Sequence, residues 1–100
     1  MKNNSIKTFD EFWPIYLQLH SKRTTKLFHV VGLILGLILL SLSILTQSWS
    51  LFGGAFLAGY GFAWFSHFLI EKNRPAAWNY PWWSFISDFR MAFLFLTGKL

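Results

Sequence analysis

Along the chain, long apolar runs alternate with short polar knots. Residues 1–7 are polar and expected to be loose, and no apolar core or small-residue cleavage site follows them closely, so a signal peptide is not predicted. Thr8-Phe9-Asp10-Glu11 has the form of a capping box, with Thr8 as N-cap and Glu11 reaching back, which predicts a helix over about 8–20. Phe9, Trp13, Tyr16 and His20 share one stripe of that helix, a pattern suited to a segment lying in a membrane interface. Pro14 is too deep for a first turn, so a kink or a later helix start is expected there.

Lys22, Arg23 and Lys26 form a basic knot, after which residues 27–45 carry no charge beyond that of His29. About 20 apolar residues span a bilayer core, so a first transmembrane helix is predicted over about 26–46. Gly32 and Gly36 give it a small-xxx-small face for close approach of another helix, and His29 lies on that face. A short uncharged turn at 46–50 leads to a second run, predicted as a helix over about 51–72, in which Phe56, Tyr60, Ala63, Trp64, His67 and Glu71 share one broad face. Pro75 ends it and pushes Arg74 out of helical geometry. The aromatic stretch 78–83 has the composition of a membrane interface, and Pro81 suits the first turn of a last helix over about 81–97, interrupted by Asp88 and Arg90 and short for a full span. The pattern predicts an all-α membrane protein of one domain over 1–100. Its parts are an amphipathic N-terminal helix, a transmembrane helical hairpin and a third short or tilted apolar helix.

Composition strengthens the membrane reading: 54% of the residues are hydrophobic and only 13% charged, too apolar for an ordinary soluble domain of 100 residues. The chain has no cysteine, which excludes disulfides, iron–sulfur clusters, thiolate zinc sites and cysteine nucleophiles. A net charge of +5 raises nucleic acid as a partner, but the cations sit beside apolar runs, so anionic lipid headgroups are the better counter-charge and no nucleic acid is expected. Lys22, Arg23, Lys26, Lys72 and Arg74 flank only the outer ends of the hairpin. By the positive-inside rule the N-terminus and Lys72 are then cytoplasmic and Gln47 lies opposite.

The candidate chemistry gathers at that cytoplasmic end. His67 and Glu71 are four residues apart, one turn above each other on a helix and able to share a metal ion. His20, His29 and Asp88 are expected at the same depth. Two or three histidines with a carboxylate and an open position is a donor set that non-haem Fe(II) uses with dioxygen, and zinc is accepted by the same donors. The alternative is that each histidine only bonds a headgroup or a backbone carbonyl. Asp88 and Arg90, two apart, face different ways, so Asp88 needs another partner: Lys72, Arg74 or the outer nitrogen of a ligand histidine. At the polar rim stand two cations, Lys72 and Arg74, with Asn73 between them, and the planar fork of Arg74 makes it the better grip for an anion with two oxygens.

These residues carry a resemblance. His20 and His29, Gly32, Gly59-Tyr60, Ala63-Trp64, His67-x-x-x-Glu71-x-Asn73-x-Pro75, Pro81-x-x-Ser84 and Asp88-Phe-Arg90-Met91 resemble the small membrane proteins typified by the fungal 2-hydroxy-fatty-acid dioxygenase of phytosphingosine breakdown. The resemblance runs from Phe9 to Gly98. It implies a membrane-embedded, Fe(II)-dependent enzyme that uses dioxygen to shorten a 2-hydroxy fatty acid by one carbon. It further implies His20, His29 and His67 as metal ligands and Glu71 as the carboxylate. Glu71, Asp88 and Tyr60 are then the catalytic candidates, and Trp64 joins Arg74, Lys72 and Asn73 around a fatty acid whose tail lies among Phe56, Tyr60 and Trp64. Such a protein sits in the inner membrane of a bacterium or the endoplasmic reticulum of a eukaryote, among membrane lipids, with a homodimer as one way to supply a further helix. The contrasting reading is a small non-catalytic membrane protein that binds lipid or scaffolds a partner.

Overall fold

A computed structural model of the protein describes residues 6–100; the first five residues of the polar start lie outside it. Four α-helices follow one another: α1 (Phe9–Leu19), α2 (Arg23–Thr46), α3 (Trp49–Phe65) and α4 (Pro81–Leu96). A π-helical turn, Ser66–Glu71, prolongs α3, and a 3-10 turn, Ala76–Trp78, leads into α4. There is no strand among the described residues.

The capping box forms as expected: Glu11 N–H donates to Thr8 Oγ1 at 3.2 Å, and Thr8 N–H to Glu11 Oε1 at 3.3 Å. It starts α1 at Phe9, and the helix runs on through Pro14, which corrects the expectation of a later start. The carbonyl that the proline ring leaves unbonded is that of Asp10, an exposed residue of the first turn. The stripe on α1 is also deeper than an interfacial helix requires. Phe12 and Tyr16 are fully buried and form, with Met91 of α4 and Ala76, the aromatic core at this end of the molecule. Arg90 closes the same contact from outside, its guanidinium 4.4 Å from the centre of the Trp13 ring.

α2 and α3 form a tight hairpin through the turn at Gln47, whose φ of 54° reverses the chain. The glycines of α2 make the close approach possible. A Cβ on Gly32 would lie 2.8 Å from Phe62 Cβ, and one on Gly36 would lie 3.1 Å from the Ala55 carbonyl oxygen. Among the described residues α2 alone is long and apolar enough to cross a membrane, judged by length and composition. α3 remains α-helical for 17 residues before the π turn, so α2 and α3 stand as a helix pair of which α2 alone has the length and composition of a membrane span. The outer faces of both helices carry exposed Leu, Ile, Val and Phe side chains.

Candidate metal centre

Three histidines meet where α1, α2 and the π turn converge. His20 ends α1, folded back so that its Nδ1–H donates to the Tyr16 carbonyl at 2.6 Å. His29 lies on the Gly32 face of α2, and its Nδ1–H is directed at the Thr25 carbonyl, at 3.1 Å, with Ser66 Oγ at 3.3 Å. His67 is carried by the π turn. That turn ends at Lys72 in a left-handed conformation (φ 60°), with the Asn73 amide on the His67 carbonyl at 2.9 Å. The chain therefore doubles back under the imidazole, and Asn73 Oδ1 accepts from His67 Nδ1–H at 2.7 Å. Asn73 also donates to the Leu19 carbonyl, which ties the π turn to the end of α1.

Each Nδ1 is thus committed to an oxygen acceptor, and Nε2 is left as the free nitrogen of each ring. The ring planes are close to mutually perpendicular, at 75–87°, with centroids 4.3–5.1 Å apart. One nitrogen from each of the three buried rings lies within 4.8 Å of the others. The Nε2 atoms of His20 and His29 are 2.9 Å apart. Two lone pairs do not face each other at that distance unless a proton or a cation lies between them. Imidazole nitrogens bound at about 2.0–2.1 Å to one ion, at a right angle, are about 2.9 Å apart. Burial first, and then the neighbouring His29, push His20 down to about 2, so this ring stays neutral and available as a ligand at physiological pH. An all-nitrogen, sulfur-free donor set of this kind fits Fe(II), Zn or Ni.

Glu71 does not join the imidazoles. Its carboxylate accepts from Ser21 Oγ at 2.9 Å and from the Lys22 amide at 2.7 Å, and so fastens the α1–α2 corner beside the site. The α-helical arithmetic that put Glu71 over His67 fails because the wider π turn intervenes. Asp88 is also corrected: its carboxylate accepts from the Tyr16 hydroxyl at 2.5 Å, not from Lys72, Arg74 or a histidine. Tyr16, which the sequence offered only as part of a stripe, stacks its ring on His20 with centroids 4.0 Å apart.

A small cavity of about 20 Å³ opens at the imidazoles, and Tyr16, Tyr60, Trp64, Ser84 and Asp88 are among its walls. Lys72 and Arg74 are exposed and line neither this cavity nor the larger groove beside it. Asn73 orients His67 instead of meeting a substrate from the rim. A family model described as 2-hydroxy-palmitic acid dioxygenase Mpo1-like matches residues 6–100. The chain belongs to the Mpo1-like family. No curated protein and no solved structure matches it. The match takes in all three histidines, and the family's description names an oxygen-using reaction on a 2-hydroxy fatty acid.

Proposed function

We propose that this protein is an Fe(II)-dependent membrane dioxygenase that shortens 2-hydroxy fatty acids by one carbon. The observation that supports this most is the trio of buried imidazoles, each held through Nδ1 with Nε2 left free, in a chain of the Mpo1-like family. His20, His29 and His67 would hold the ion. When bound, Fe(II) supplies the electrons and the open positions that dioxygen chemistry needs.

The protein's own groups define the rest of the site. Three nitrogen ligands leave positions free for substrate and oxygen, and Glu71 stays outside as the brace of the α1–α2 corner. Asp88, bonded by the Tyr16 hydroxyl, is the carboxylate nearest in role to a proton acceptor for the substrate's 2-hydroxyl, since it lines the cavity. Tyr60 and Trp64 wall the cavity with aromatic surface that keeps water from the reacting end. In the membrane, α2 and the α3–π segment cross as a hairpin. The cations of their outer ends are cytoplasmic and the exposed aliphatic faces meet lipid.

Anaerobically purified protein loaded with Fe(II) should consume dioxygen with a 2-hydroxy fatty acid and release the acid one carbon shorter. The zinc form should consume none, and His67→Ala should lose at least about 100-fold in rate. Fe(II)-loaded, folded protein that leaves 2-hydroxy acids unchanged would defeat the enzyme reading in favour of lipid binding alone.

A further inference from the structure

Beside the small cavity a larger groove of about 230 Å³ runs along the hairpin. Its floor is α2, from His29 to Leu40; its walls are α3 on one side and Phe85, Asp88 and Phe89 of α4 on the other. The two cavities share His29, Tyr60, Ala63 and Asp88, so the groove opens into the metal centre. Its polar groups are confined to that end. The antiparallel pairing places Gly59 against Gly32 and Ala55 against Gly36, so Tyr60 lies level with the His29 end of α2, and from Gly32 onward α2 offers only glycine and leucine to the groove. No Lys or Arg lines it.

We propose that this groove is a ruler for the acyl chain of the substrate, with the carboxyl end at the imidazoles and the terminal methyl pointing to Leu40. The proposal rests on the dioxygenase reading and adds where the tail lies and which residues set its length. A polar head end followed by an unbroken apolar trough matches one single-tailed amphiphile. A helix from a second copy would meet the His29 and Asp88 end with side chains of its own to satisfy, and a phospholipid headgroup would find no cation in the walls. Gly32 and Gly36 hold α3 close against the floor, Ala55, Gly59 and Ala63 line that wall with small residues, and the Phe85 and Phe89 rings, 5.2 Å apart and edge to face, form the outer side. His29 and Leu40 are three turns apart, about 16 Å, which is room for roughly a dozen methylenes.

Each methylene moved from water into the trough strengthens binding about fourfold. Affinity should therefore climb with chain length and then level off once the tail reaches Leu40. Leu37 lines the groove about one turn short of Leu40, so Leu37→Trp should bring the plateau roughly three methylenes earlier. Leu40→Ala, which only removes bulk, should move it later. Leu35→Trp is the control, because Leu35 is exposed on α2 and does not line the groove.

The experiment uses the full chain in amphipol, metal-loaded under anaerobic conditions. It follows displacement of a pyrene-labelled fatty acid by 2-hydroxy acids of increasing length, then oxygen uptake when oxygen is admitted to the same samples. Opposite plateau shifts in Leu37→Trp and Leu40→Ala establish the ruler, and do so even if oxygen uptake is absent and the dioxygenase reading falls. An unmoved plateau in both variants overturns the ruler, even where oxygen uptake proceeds and the dioxygenase reading stands. Equal displacement by acids of every length overturns it as well.

Discussion

Asn73 shows how much of a metal centre depends on residues that never touch the metal. Its carbonyl oxygen holds His67 Nδ1–H while its amide holds the end of α1, so one side chain sets the tautomer of one ligand and the distance to another. Asn73→Ala should weaken metal binding by about 10–100-fold while leaving the three histidines in place, as read by competition with a chelator of known affinity. Lys72→Ala, next to it and exposed, should leave that affinity within about twofold. The sequence placed the three histidines at one end of the molecule, because their positions relative to the apolar runs are fixed by helical arithmetic. It could not place Glu71 or Asn73. The turn over residues 66–71 closes with wider hydrogen bonds than an α-helix, and nothing in Ser-His-Phe-Leu-Ile-Glu marks that change. Asp88 failed for a different reason: a buried carboxylate points to a cation or a ligand histidine as its partner, and Tyr16 is a neutral hydroxyl.

Among the elements, the α2–α3 hairpin was the most legible, since spaced glycines on an apolar run have few uses other than close approach of helices. The geometry separates glycines that are needed from glycines that are not. Gly32→Ala would force a Cβ to within 2.8 Å of Phe62 Cβ and should cost about 1–3 kcal/mol. Gly61→Ala meets nothing within 4 Å and should be neutral or stabilising by up to about 1 kcal/mol, through helix propensity. Thermal unfolding of the two variants in the same detergent gives the comparison. The same separation could not be read for α1, where the period of the stripe was right and its depth was not. An amphipathic helix on a membrane surface and one packed on α4 have the same pattern, and only the fully buried Phe12 and Met91 tell them apart.

At the scale of the molecule, polarity is divided between the two ends of the hairpin. Lys22, Arg23, Lys26, Lys72 and Arg74 lie at one end with the metal centre, and the uncharged turn at Gln47 lies at the other. With the exposed aliphatic faces in lipid, the site would open at the cytoplasmic surface. A cysteine introduced at Gln47 should then react with an impermeant maleimide added to intact cells, and one at Lys72 only after the cells are opened. The all-helical architecture and the end that gathers the three histidines were readable because both follow from the lengths and flanks of apolar runs. The groove was not, since it depends on α4 settling over α2 while standing off α3, a packing outcome that no single run encodes. The claim on which everything else depends is that His20, His29 and His67 form one metal site. Anaerobic titration of metal-free protein with Fe(II) tests it most directly. The account predicts about one ion per chain, with binding lost in each of His20→Ala, His29→Ala and His67→Ala and retained in Glu71→Gln; folded protein that takes up no metal, or that keeps full affinity after any one of the three histidines is removed, would contradict it.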